Sequence, residues 1–471
     1  MAISIIVVYF VLIFGVVALQ RRVSSYDDFL VGRKNTGTWV TALSVRAAGE
    51  SGWLVLGLTG LGYVIGIHGI WVVVGETLFE SLSWLWLARR FKRDTEKHNV
   101  TSVVDYIEVK SGDSVGIVRF VASMIIILMF VTYLAAQVSA FGKAFYSFLG
   151  IRPILGMIVG MALVFLYCSI GGYRAVAKIS SIHGLAMIFG IMAMPILCFL
   201  VLNDRGLSLT KISAPAPYFW NIWGEHGFST AGIISALSYF AIGLAFLGAP
   251  HLYTKFLASK SPYVIARGTP IAIAFTAIGD SCALLTGVLG RYIFPHLADG
   301  EYVVPLLSKS IFAPVMIGVF AVVAMAAIMS TADALLHQVA TSGMHDVYHR
   351  MFHEDASQKL LLRYSRVLMV IVAIFAIIAA YGDLRLVFWM VLFSWAGVGC
   401  AFSPLMIVFG LRIKVTKYGV LSGLIGGCCA AVFWNMFYAK RTGLYEMIPG
   451  FIVALILIPL VSRAERLLVK Q

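Results

Sequence analysis

Two polar, helix-breaking stretches, Ala47-Ala48-Gly49-Glu50-Ser51-Gly52-Trp53 and Ala327-Ile328-Met329-Ser330-Thr331-Ala332-Asp333, carry the groups in this chain best suited to chemistry. They supply backbone carbonyls and amides freed by a helix break, the hydroxyls of Ser51, Ser330 and Thr331, and the carboxylates of Glu50 and Asp333. Each stretch lies in the middle of an apolar segment long enough to span a bilayer. Hydrocarbon offers such groups no partner, so irregular backbone at that depth survives only against protein or a water-filled cavity. A polar ligand is expected to bind between the two segments.

Charge at the same depth adds to this. Arg46 stands about nine residues into its segment, close to mid-membrane at a rise of ~1.5 Å per residue, and a guanidinium there cannot shed its proton. Glu50, four residues on, faces it if the helix is still regular; Glu76, Glu80 and Asp280 are other candidate partners. With Asp333 these make five acids inside apolar segments. Protonation of some of them would suit a proton-coupled carrier, whereas an Arg-Glu pair that merely locks two helices is the alternative. The cytoplasmic His345, His349 and His353 recur every four residues, a spacing that reads as a solvated helix end rather than a metal site.

The elements that must hold these groups are membrane helices. With 60% hydrophobic and 12% charged residues over 471 positions, and a mean hydropathy of +0.92, the chain is a polytopic membrane protein rather than a soluble domain. Apolar runs of roughly 20 residues start near residues 2, 37, 69, 116, 154, 176, 229, 269, 312, 361, 386, 417 and 443, which predicts thirteen crossings in an all-α fold. No connection is long enough for a soluble domain. The outer stretches 203–228 and 294–313 could each hold a short helix. The six cysteines show no CxxC spacing, so neither a disulfide framework nor a zinc site is expected.

The net charge of +14 does not point to nucleic acid. Most Lys and Arg fall on the side of the connection that contains Arg21, Arg22, Arg33 and Lys34, and that asymmetry is the positive-inside rule. It places the N-terminus outside and the C-terminus, with Arg463, Arg466 and Lys470, in the cytoplasm. The first apolar run lacks a preceding basic residue and reads as a retained helix rather than a signal peptide.

Helix breakers are concentrated in two segments, the second (Gly49, Gly52, Gly57, Gly60) and the seventh (Gly243, Gly248, Ala249-Pro250), five helices apart. Inverted-repeat transporters begin each repeat with such a discontinuous helix, whose exposed backbone binds substrate and ion near the midplane. Segments two to six and seven to eleven would be the repeats. Glycines that simply allow close helix packing are the competing explanation.

The chain resembles the solute:sodium symporter family, and most closely its sodium/proline symporter branch. The resemblance rests on Tyr26-Asp27-Asp28-Phe29-Leu30-Val31-Gly32-Arg33, Ser51-Gly52-Trp53, Ile170-Gly171-Gly172, Gly248-Ala249-Pro250-His251, Ile328-Met329-Ser330-Thr331-Ala332-Asp333 and the stretch from Gly443 to Phe451. It implies a five-plus-five inverted-repeat, leucine-transporter-like core. The whole chain would be one transporter domain: residues 1–36 as first helix and loop, 37–412 as the ten-helix core, 413–471 as two C-terminal helices. It also implies a sodium site built from the carbonyls of Ala47, Glu50 and Ala327 and the hydroxyls of Ser330 and Thr331. Several neutral oxygens suit a hard monovalent cation, although buried Ser and Thr also back-bond within their own helix.

For the organic solute the resemblance points to Tyr133 and Gln137 on the fourth helix and to Ile242, Phe246 and Pro250 on the seventh. The last three stand where the proline branch has tryptophan, tyrosine and proline. Ser51, Gly52 and Trp53 could hold a carboxylate through backbone donors at a half-helix N-terminus. Other departures bear on the ion. Gly49 and Ser180 occupy positions where aspartates are usual, and Arg46 opposes a neighbouring sodium ion, so Arg46, Glu50 and Asp333 are expected to set the coupling charge.

The expected function is cation-coupled, sodium-type symport of a small amino acid or carboxylate such as proline across the plasma (inner) membrane. Its partners would be the solute, the coupling cation (Na+ or H+) and the lipid bilayer, with no nucleic acid, no enzymatic activity and no organic cofactor. A proton-coupled or sodium-independent carrier of the same fold is the alternative, and a sensor without transport is the third reading.

Overall fold

A computed structural model describes residues 2–19, 23, 25–204, 206, 215–310, 314–381 and 387–468. Arg21, Arg22 and Lys470, used above for orientation, lie outside the described residues. Among the described residues, eleven helical runs are long and apolar enough to cross a membrane. Two of them, of 61 and 52 residues, would be about 90 and 80 Å long if straight, so each must cross twice. Each is broken at a glycine. Gly66 (φ +64°) turns where an added Cβ would stand 2.2 Å from the Phe219 carbonyl oxygen, and Gly172 adopts φ +55°. A side chain at either position would be strained.

Among the described residues the crossings are therefore thirteen: α1 (Ala2–Leu19), α2 (38–65), α3 (70–98), α4 (Ile117–Leu149), α5 (153–171), α6 (173–204), α7 (Thr230–Leu257), α8 (Pro262–Ile293), α9 (Val315–Phe352), α10 (Gln358–Tyr381), α11 (Val387–Gly410), α12 (Lys417–Phe437) and α13 (Met447–Leu468). The largest shift from the sequence reading is at α8, which starts at Pro262 with the Ser261 hydroxyl capping its first turn. Pro270 lies inside this helix, as the packing of neighbouring helices in a membrane allows. Helix Val303–Ser310 fills one of the outer connections expected to hold a short helix.

Burial sorts the helices. In α9 78% and in α11 89% of the apolar window is covered, against 33% in α10, α12 and α13, so the first two are central and the last three face lipid. Lipid is as apolar as leucine, so helices associate through close approach at small residues. Gly184 of α6 abuts the Leu43 carbonyl of α2, Gly190 of α6 meets Val323 of α9, and Gly248 of α7 lies against the Ser403 backbone of α11. These approaches bring α2, α6, α7, α9 and α11 around one centre.

Candidate functional site

The first break lies at one residue. Helix Thr38–Gly52 stays regular to Glu50, and Ser51 then adopts φ 55°, ψ −175°, a conformation that costs a non-glycine residue about 1–3 kcal/mol. Local bonds hold it there. The Trp53 amide donates to Ser51 Oγ at 3.0 Å, the Gly52 amide to Gln137 Oε1 at 3.3 Å, and the Tyr133 hydroxyl reaches Ser51. In α7 the helix gives way to a tight turn over Ala241–Leu247, passes through extended Ala249 (ψ 116°), and restarts with Pro250 at its first turn.

The second polar stretch meets the first. Ser330 Oγ donates to the Ala47 carbonyl at 2.7 Å and lies 2.9 Å from the Ala327 carbonyl, while Thr331 Oγ1 donates to the Ala48 carbonyl at 2.8 Å. All these residues are buried. Hydroxyls rotate freely and carry two lone pairs. Turning both protons away leaves five uncharged oxygens on adjoining residues, a donor set suited to a monovalent hard cation. Four of the five residues expected there come together; the Glu50 carbonyl is instead the acceptor of the Trp53 amide, and Ala48 contributes in its place.

Arg46 is neutralised. Its guanidinium pairs with Glu50 on its own helix and with Glu80 of α3, and it lies over the Phe246 and Phe275 rings at 5.2 and 5.8 Å. Glu80 is held in turn by Trp84 Nε1 at 2.9 Å and by the Thr276 hydroxyl. Glu76 and Asp280 lie beside this pair, with Glu50, Glu76 and Asp280 each placing a carboxylate oxygen within 4.8 Å of the others. The sequence reading set Arg46 against a sodium ion; with two carboxylates on one guanidinium, no net positive field from Arg46 remains.

A narrow cavity opens beside the break. Gly49, Glu50, Ser51, Trp53, Glu76, Tyr133, Ile242, Phe246, Val391, Leu392 and Trp395 line it. Of the residues expected to bind solute, Ser51, Trp53, Tyr133, Ile242 and Phe246 stand in this wall. Gly52, Gln137 and Pro250 stand outside it, the first two bonded to each other. Trp395, edge-on to Phe246 at 5.1 Å and donating to the Ile242 carbonyl at 2.8 Å, escaped the sequence reading because a tryptophan in an apolar helix resembles any interfacial anchor. Gly49 also acquires a reason: a Cβ there would stand 2.9 Å from Phe246 and 3.5 Å from Arg46 Nη1. Gly49→Ala is expected to push Phe246 into the cavity and weaken solute uptake severalfold, and Gly49→Ala with Phe246→Leu to recover it, both read as the solute concentration giving half-maximal uptake.

Ionic clusters sit at both ends of α4, whose Arg119 and Lys143 are about 36 Å apart along the helix. Lys143 Nζ contacts Glu301 at 2.5 Å and Asp299 at 3.3 Å. Arg119 contacts Asp105 at 2.7 Å, Asp346 at 3.6 Å and Glu108, and His345 reaches Asp105 at 3.2 Å. Burial alone would raise the Asp105 carboxyl, but His345 and Arg119 hold it well below the usual carboxylate range. His345 is thus a buried member of an ionic cluster, not part of a solvated helix end.

Two interrupted helices facing each other across a central cavity, with hydroxyls of a third helix on the broken backbone, define a secondary transporter. The pattern of the Sodium:solute symporter family matches residues 29–427. The high-affinity proline transporter of Bacillus subtilis (strain 168) is 32% identical over 448 residues, spanning 94% of this chain and 93% of that protein. The sodium/proline symporter of Escherichia coli (strain K12) is 31% identical over 467 residues, spanning 96% and 92%. Among solved structures, a Na+-coupled sialic acid symporter in a substrate-bound outward-open state superposes with a TM-score of 0.78 at 16% identity, over 98% of both chains. A nucleobase-cation-symport-1 family transporter in a closed conformation gives 0.60 at 12%, over 94% of both. The chain belongs to the sodium:solute symporter family, with its five-plus-five inverted-repeat fold; it is a membrane transporter and not an enzyme.

Proposed function

We propose that the protein couples the downhill movement of sodium to the uptake of a small zwitterion of the proline type, through the residues brought together at the two breaks. The observation that carries this reading is the bonding of Ser330 and Thr331 to the Ala47 and Ala48 carbonyls, a cluster of neutral oxygens on the freed backbone. Ala47, Ala48, Ala327, Ser330 and Thr331 would hold the ion. Ser51, Trp53, Tyr133, Ile242, Phe246 and Trp395 would enclose the solute. The relatives are proline transporters, which supports a solute of that class. The positive-inside distribution supports an external N-terminus and a cytoplasmic C-terminus. The ionic clusters at the two ends of α4 are suited to act as gates that open in turn.

The cavity wall presents two carboxylates and no basic side chain, so it would hold the solute by its amine, with Glu76 as the nearest acid not already bound to Arg46. Glu76→Gln is expected to raise the solute concentration for half-maximal uptake about tenfold, the loss of one charge-assisted hydrogen bond, while an analogue lacking the amine fails to compete in either protein. Equal competition by that analogue would reverse the assignment. The Glu76-Asp280 contact favours one second reading, proton coupling through a shared carboxyl pair. Uptake of labelled amino and organic acids into proteoliposomes, with sodium and proton gradients imposed separately, decides between them.

A further inference from the structure

Lys255, on the helical half of α7 that follows the break, is fully buried at the centre of the bundle. Its ammonium donates to Ser180 Oγ at 3.4 Å, and Ser180 Oγ lies 3.2 Å from an Asp333 carboxylate oxygen. Asp333 also accepts from the Tyr167 hydroxyl at 2.9 Å, and that hydroxyl lies 3.3 Å from the Met329 carbonyl. Asp333 is the carboxylate whose field reaches Lys255; Cys168, His183, His251 and His337 are the other ionisable groups that interact with it. An acid, two hydroxyls and a carbonyl are the donor set of a hard cation. Here an ammonium lies against it, two residues along α9 from Thr331.

We propose that Lys255 is a tethered cation that fills a second cation position beside the sodium site, so that one sodium ion, not two, accompanies each solute. The claim rests on the sodium reading above. Two observations fit it. A lysine fully removed from water is costly unless it neutralises something, and what it faces is a carboxylate across one hydroxyl rather than a direct ion pair. The oxygens around Asp333 are directed inward from α5, α6 and α9, a convergence that a structural lysine does not require. A group attached to the chain is also present at high effective concentration, which gives it an advantage over a free ion.

The test is the sodium-to-solute ratio, measured from the gradient that balances solute accumulation in proteoliposomes, together with the cooperativity of sodium activation. The wild type is expected to move one sodium ion without cooperativity. Lys255→Met vacates the position while leaving Asp333, and the ratio should rise to two with cooperative activation. Lys255→Arg keeps the charge and should keep a ratio of one. Lys255→Met with Asp333→Asn removes both charges, which restores a ratio of one and serves as the foldable control if the single change is poorly expressed. A ratio of two in the wild type, or an unchanged ratio in Lys255→Met, overturns the proposal. Solute counterflow in the same vesicles keeps the two readings apart: its absence for every zwitterion defeats the proposed function itself, whereas counterflow with an unchanged ratio defeats only the role of Lys255.

Discussion

Arg46→Met is expected to cost about 3–5 kcal/mol of stability, the usual consequence of removing one partner from a buried ion pair, and with it most of the folded protein recovered from the membrane. Glu50 and Glu80 both close on this guanidinium, and Glu76 and Asp280 lie beside them. Without Arg46 four acids share a space that admits no net charge of that size, and several must take up protons to stay. Glu50→Gln alone should be milder, since Glu80 still balances the arginine. The triple change Arg46→Met, Glu50→Gln and Glu80→Gln should regain part of the lost stability, because it leaves two acids, Glu76 and Asp280, in that space in place of four, and an amide costs less to bury than a carboxylate. Thermal unfolding in detergent measures the series. A single Arg46→Met protein as stable as wild type would show that the cluster does not hold α2 to α3.

Ser330→Ala and Thr331→Ala should each raise the sodium concentration for half-maximal uptake by about tenfold, or ~1.4 kcal/mol per ligand, and the double change by about a hundredfold. Alanine is a good helix former and fills part of the same space, so the amount of folded protein should hardly change. Initial uptake rates at saturating solute, titrated with sodium, give the number. The geometry makes the experiment two-sided, because both hydroxyls also brace the broken helix through Ala47 and Ala48. If maximal rate falls while the sodium requirement stays put in both variants, the hydroxyls are clamps and not ligands.

The residues that surprised were those whose meaning depends on a partner. Ser180 looked like the loss of a family carboxylate. Folded, it lies 3.2 Å from Asp333, so an acid is still present at that place, delivered from the facing helix. Gly49 looked like a second lost acid; it is the space that Phe246 and Arg46 occupy. Lys255 drew no attention at all, since it falls near the end of an apolar run, where a lysine ordinarily reaches back to the headgroups.

What the chain determined by itself was the number and type of its helices, the position of its polar breaks along the sequence and, Glu50 apart, the residues whose oxygens cluster beside them. The reason is that hydrocarbon tests each segment separately: a run either buries its backbone for the full bilayer thickness or it does not. The tertiary structure alone decided which charges neutralise Arg46, which aromatic rings close the cavity, and that Asp333 and Lys255 meet across Ser180. Those are contacts between helices up to hundreds of residues apart in sequence, set by where glycines let backbones touch, and helical periodicity carries no record of them.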